Sequence, residues 1–172
     1  MTQLIPAWVD GVLTPVEKLE THQRGLRHPA VSVFVMSDDQ VLLQQRALSK
    51  YHTPGLWANA CCTHPHWGED FATCANRRLT EELGIVDLPL TQRDTIEYRA
   101  DVGSGMIEHE VVTLFTGHGK PAMQPNPQEV AATRWVDLDT LRLEILHTPD
   151  RFTPWLRIYV TDHADQIFGE PV

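Results

Sequence analysis

Cysteine is scarce in this chain: three in 172 residues, Cys61, Cys62 and Cys74. An odd count with two adjacent members argues against a disulfide framework, because neighbouring residues rarely reach disulfide geometry. Free thiols in a reducing cytoplasm are the expectation. Also missing around "NACCTHPHWGE" (residues 59–69) is a second ligand pair spaced as C-x2-C or H-x3-H, which argues against a structural zinc clip. A redox pair is a poor reading too, since C-C lacks the spacer of C-x-x-C. Cys62 remains as a candidate active-site thiol, with Cys61 a small core residue.

Basic charge is also in short supply. The chain has 14 Lys and Arg against 23 Asp and Glu, a net charge of −9. That balance argues against a general nucleic-acid binder, which would need a basic face. Any anionic substrate must be drawn by a local basic cluster or a bound metal. No apolar run is long enough to cross a bilayer, and "MTQLIPAWVDG" has no basic region ahead of an apolar one. Neither a membrane span nor a secretory signal is expected. No repeat or long linker interrupts the sequence, so one domain over residues 1–172 is the simplest organisation.

What is present reads as interleaved strands and helices. "AVSVFVM" (30–36) and "VLLQQR" (41–46) flank the turn "SDDQ" and predict a hairpin. "EDFATCANRRLTEELG" predicts a helix with acidic residues in its first turn and Gly84 as its stop. "IEHEVVTLFTG" predicts a strand of roughly eight residues, and "TRWVDLDTLR" a strand running into a short helix. "TPWLRIYVTDHADQIF" predicts a terminal helix capped by Thr153, with Pro154 at its first position. The pattern fits an α/β (α+β) mixed β-sheet sandwich flanked by helices.

Three places break the apolar pattern. On the helix, Phe71, Ala75, Leu79 and Leu83 form an i, i+4 stripe with Ala72 beside it, and Glu82 sits on its edge. A carboxylate there must pair, with Arg78 one turn earlier as the simple partner, or hold a metal. On the strand, Glu108 and Glu110 share a face with Val112 and Leu114. Either that strand end is solvated, or a cation or a proton relieves the repulsion. In "CCTH", Cys62 and His64 face one way and Cys61 the other.

From Thr63 to Ile85 the chain resembles the Nudix box, G-x5-E-x7-R-E-U-x-E-E-x-G-U with U aliphatic. Glu69, Arg77, Leu79, Glu81, Glu82, Gly84 and Ile85 fall in register, while Thr63 replaces the Gly and Arg78 the first Glu of R-E. Exchanging that carboxylate for a guanidinium puts hydrolysis by the family's route in doubt. Taken whole, the chain resembles the type I isopentenyl-diphosphate Δ-isomerases. The resemblance rests on "LETHQRGLRH", "QQRALSKYHTPGLWANACCTHP", "NRRLTEELG", "EYRADVGSGMIEHE" and "FTPWL", in the family's order.

That resemblance implies a Nudix-like fold and conversion of isopentenyl to dimethylallyl diphosphate. It implies one divalent ion, Mn²⁺ or Zn²⁺, on His22, His28, His64, Glu108 and Glu110, a donor set that suits such ions. It also implies Mg²⁺ between the diphosphate, Glu82 and the Cys62 backbone carbonyl. Lys18, Arg46, Lys50 and Arg78 match phosphate-contacting positions. Cys62 and Glu110 resemble the two proton-transfer groups, Tyr98 a partner of Glu110, and Trp155 an aromatic face for a carbocation. The expected setting is cytoplasmic, as a monomer or small homo-oligomer with a small-molecule partner. A Nudix pyrophosphohydrolase and a non-catalytic diphosphate- or metal-binding module stay open at this point.

Overall fold

Asp10 and Gly11, at φ 49° and 79°, make the tight turn of an N-terminal hairpin. It joins β1 (Leu4–Val9) to β2 (Val12–Glu17) and was not expected from the sequence. Asp-Gly is the usual residue pair for such a turn, but Pro6 and Pro15, which sit opposite each other in the pair, weaken the strand signal. The structure, a computed structural model, describes residues 2–169. Chain order continues α1 (Lys18–Arg24), β3 (Arg27–Ser37), β4 (Gln40–Arg46), β5 (Trp57–Asn59), β6 (Cys61–Thr63) and α2 (Phe71–Leu83). Then come β7 (Leu90–Gly103), β8 (Met106–His118), β9 (Val130–Asp137), α3 (Leu138–His147), α4 (Pro154–Asp162) and α5 (Ala164–Phe168).

Seven strands form a mixed sheet in the order β5-β4-β3-β8-β7, with β6 added to β3 and β9 to β4. The expected β3–β4 hairpin exists only at its tip, through Met36↔Val41 and Ser37↔Gln40. Beyond it the strands diverge, because β3 takes β8 in parallel and β6 in antiparallel, while β4 takes β5 and β9. β8 spans 13 residues rather than roughly eight, since it pairs with β7 along most of its length.

β3 is buried on both faces, as a central strand covered on each side should be. Ala30, Phe34 and Met36 join a core with Leu114, Leu141, Leu156 and Tyr159. Val31, Val33 and Val35 join another with Cys61, Cys74, Leu79 and Leu83. α2 therefore covers one face, and α3 with α4 the other.

Three helix expectations need correction. Asp70 caps α2 rather than sitting in its first turn, which holds no acid. The buried stripe is Cys74, Ala75, Leu79, Glu82 and Leu83, whereas Phe71 is 36% exposed and Ala72 is exposed, because the first turn overhangs the sheet. Gly84 ends α2 at φ 64°, where an added Cβ would meet the Gln124 backbone oxygen at 2.7 Å. The terminal helix breaks at His163, whose φ of −130° stops α4 before α5 begins. Among the described residues no helix is long and apolar enough to cross a membrane.

Candidate active site

Neighbouring strands β7, β8, β3 and β6 build the site on one face of the sheet. Tyr98 lies opposite Glu110, Glu110 opposite His28, and Ser32 opposite Cys62. Further along the same face, Phe34, Val112 and Leu114 are core. The site is thus the polar end of an apolar surface. Glu108 and Glu110 are each 4% exposed, so the solvated strand end is excluded.

Three imidazoles crowd this end, with ring centroids 5.0 Å (His22–His28), 5.0 Å (His22–His64) and 4.9 Å (His28–His64) apart. Short helix α1 delivers His22, and Gly25 in the left-handed conformation turns the chain from α1 into β3, which carries His28. His22 Nδ1 lies 2.7 Å from the Lys18 carbonyl, and His28 Nδ1 lies 2.7 Å from the Leu26 carbonyl. A carbonyl only accepts, so each Nδ1 carries a hydrogen and each Nε2 is the atom turned into the site. Both Nε2 atoms are buried with no hydrogen-bond partner among the described residues. Burial lowers the His22 pKa to about 4, so its ring is neutral.

Glu110 Oε1 lies 2.9 Å from His64 Nε2 and 3.5 Å from His28 Nε2. Burial alone would raise its pKa, but those imidazoles hold it well below the usual carboxylate range. Glu108 moves the other way, pushed up by burial and by the charge on Glu110. The Tyr98 hydroxyl is within hydrogen-bond distance of both carboxylates.

Cys62 sits in a defined network. Its thiol donates to Asn59 Oδ1 at 3.0 Å, while the Asn59 amide nitrogen donates to the carbonyls of Val33 and Cys61 and so fixes the amide's orientation. Ser32 Oγ lies 3.0 Å from Cys62 Sγ and 2.8 Å from the Tyr159 hydroxyl. Burial pushes the thiol pKa up, which keeps the sulfur protonated at neutral pH.

A basic wall faces these groups across the pocket. Lys18, Arg46, Lys50 and Arg78 line it together with Cys62, His64, Glu82, Glu108, Glu110 and Trp155. Burial, then repulsion from Arg78 and Lys50, lowers Lys18 to about 8. Glu82, 6% exposed, accepts from Arg78 at 2.5 Å and from Gln44 at 2.9 Å. Glu129 pairs with Lys50 and lies 3.5 Å from Arg78. The Arg46 guanidinium lies 5.2 Å from the Trp155 ring centre.

The NUDIX domain model matches residues 26–156. A protein named isopentenyl-diphosphate Delta-isomerase from Rhodobacter capsulatus is 64% identical over 168 residues, 96% of this chain and 96% of its own. One of the same name from Cereibacter sphaeroides is 62% identical over 172 residues, covering 99% of this chain and 97% of its own. The chain belongs to the isopentenyl-diphosphate Δ-isomerase family, within the NUDIX fold. Among solved structures, a Deinococcus radiodurans protein superposes with a TM-score of 0.74 at 13% identity, covering 92% of this chain and 96% of its own. A MutT NUDIX hydrolase from Burkholderia pseudomallei gives 0.60 at 23% identity, covering 80% and 98%. At those identities the likeness is one of fold.

The isomerase-family pocket brings together most of the residues the sequence singled out. Lys18, Arg46, Lys50, Cys62, His64, Arg78, Glu82, Glu108, Glu110 and Trp155 line it, with His22, His28 and Tyr98 directly behind. His22, His28, His64 and Glu110 present donor atoms all within 4.8 Å of one another, a geometry able to hold a divalent ion. Unpartnered imidazole nitrogens beside a charged carboxylate fit a cation, since such orphans each cost roughly 1–3 kcal/mol otherwise. Sequence reasoning missed Ser32, Gln44, Asn59, Tyr159, Glu129 and His52. Asn59 and His52 lie inside the resembling stretch, so position was legible but partners were not.

Proposed function

We propose that this isomerase-family chain interconverts isopentenyl and dimethylallyl diphosphate by adding a proton at one end of the double bond and removing one from the other. Cys62 and Glu110 are the proton-transfer pair. The observation that carries the reading is that the Cys62 thiol, the better proton holder, and the Glu110 carboxylate, the weaker one, line the same pocket. One group can give a proton while the other takes one, without either crossing to water. An alkene is a weak base, so the developing tertiary cation needs support. The Trp155 face and the nearby carboxylates supply it.

Lys18, Arg46, Lys50 and Arg78 bind the diphosphate, concentrating positive charge on a chain whose net charge is −9. Tyr98 orients the carboxylates through its hydroxyl. His22, His28, His64, Glu108 and Glu110 hold one divalent ion, Mn²⁺ or Zn²⁺. Glu82 and the Cys62 carbonyl hold Mg²⁺ with the diphosphate. When bound, these ions lower the proton affinity of Glu110 and neutralise phosphate charge. The three free cysteines support a reducing, cytoplasmic setting.

Incubating metal-replete protein with isopentenyl diphosphate in D₂O tests the reading by NMR. Dimethylallyl diphosphate carrying deuterium in a methyl group is expected, with no phosphate released. Unlabelled, unconverted substrate rejects it, and phosphate release supports a pyrophosphohydrolase instead.

A further inference from the structure

One histidine of the pocket has no part in the scheme above. His52 lies in the loop between β4 and β5 and is 5% exposed. Its Nδ1 lies 2.9 Å from the Thr53 hydroxyl, and its Nε2 lies 3.6 Å from Glu108 Oε1. Its ring centre is 5.9 Å from that of His22. His22 and His28 share this arrangement: one ring nitrogen is tied to a local oxygen, and the other is turned inward. Metal-binding histidines are oriented in this way, because a partner on the second nitrogen fixes tautomer and ring plane.

His22, His52 and Glu108 present donor atoms within 4.8 Å of one another, and this group overlaps the four-residue one only at His22. His22 Nδ1 is committed to the Lys18 carbonyl, which leaves a single lone pair, at Nε2. One lone pair cannot serve two ions. The second group therefore extends the first rather than duplicating it. Resting on the metal-binding reading, we propose that His52 Nε2 is a further donor to the ion held by His22, His28, His64, Glu108 and Glu110. The added imidazole completes an octahedral donor set.

The backbone beside His52 points the same way. Thr53 has φ 49°, a left-handed conformation that β-branched residues rarely adopt, and it is 8% exposed. Strain of this kind persists where the surroundings demand it. Here it sets a hydroxyl against His52 Nδ1. The ring also packs edge-on to Trp155, with centroids 5.8 Å apart. Packing alone would be satisfied by any flat ring and would not need its Nδ1 held.

Loading ¹⁵N-histidine-labelled protein with ¹¹³Cd²⁺ tests the assignment, since scalar coupling to cadmium marks each bound nitrogen directly. Coupling is expected at Nε2 of His22, His28, His64 and His52, the last assigned by its loss in His52→Leu. Cadmium affinity should fall about 10- to 100-fold in that variant. Coupling confined to His22, His28 and His64 overturns the proposal and leaves the metal-binding reading intact. Coupling at no histidine overturns both. If His52→Leu folds poorly, His52→Gln supplies the assignment, and a count of three coupled imidazoles in the wild-type spectrum overturns the proposal without either variant.

Discussion

The Tyr98 hydroxyl lies 2.7 Å from Glu108 Oε2 and 3.0 Å from Glu110 Oε2, one donor set between two buried carboxylates. A phenol has one hydrogen, so it cannot satisfy both acceptors at once. Burial and the charge on Glu110 push the Glu108 pKa up, while the imidazoles pull that of Glu110 down against its burial, so the two carboxylates make unequal demands on that hydrogen. Tyr98→Phe leaves the ring packing and removes the bridge. A hydrogen bond to a charged group contributes about 1.5–3 kcal/mol, so kcat should fall roughly 10- to 100-fold with little change in KM. Steady-state kinetics checks this, and an unchanged kcat would remove Tyr98 from the scheme.

Lys18 gives the pocket a pH limit. Its pKa in the folded chain is about 8, below the ordinary 10.5, through burial and then the nearby cations. Diphosphate binding favours the protonated amine, so kcat/KM should fall as pH rises through about 8. Stability responds with the opposite sign. Between about 8 and 10.5 the unfolded chain holds the proton that the folded chain has lost, so this group adds stability as pH rises across that window. Lys18→Gln should lower kcat/KM below pH 8 and flatten its alkaline limb, as a pH–rate profile would report.

Removing bound metal should destabilise the fold. His22 Nε2 and His28 Nε2 are buried without partners among the described residues, beside a carboxylate pair. An ion present at 1,000 times its Kd stabilises the folded state by about 4 kcal/mol. Chelation should therefore lower Tm by roughly 10 °C, with recovery on adding Mn²⁺ or Zn²⁺. A Tm that ignores the chelator would count against an ion at this position.

How much of this was legible in sequence depends on the kind of signal. Strict alternation placed Glu108, Glu110, Val112 and Leu114 on one face, and all four are buried there. The α2 stripe was right at Ala75, Leu79 and Leu83 but not in its first turn. Cys74 is fully buried where Phe71 was expected, because periodicity cannot say where the helix first meets the sheet. The β3–β4 hairpin formed at its turn but paired for only two residues on each strand, because turn residues report a reversal, not how far two strands stay paired. The network around Cys62 was not legible at all. Ser32 and Tyr159 are 127 positions apart, and only the tertiary fold joins them. His52 in a loop carried no periodic signal, and Thr53's left-handed backbone has no signature in its residue type.

Cys62 supplies the most direct test of the central claim, that its half-buried thiol and Glu110 move protons on opposite ends of a five-carbon diphosphate. Cys62→Ala removes the sulfur from a pocket whose basic wall and carboxylates stay in place. The variant should still bind isopentenyl diphosphate with near-normal affinity, while deuterium transfer from D₂O into product falls below detection. Labelled product formed at the wild-type rate by Cys62→Ala would contradict the account.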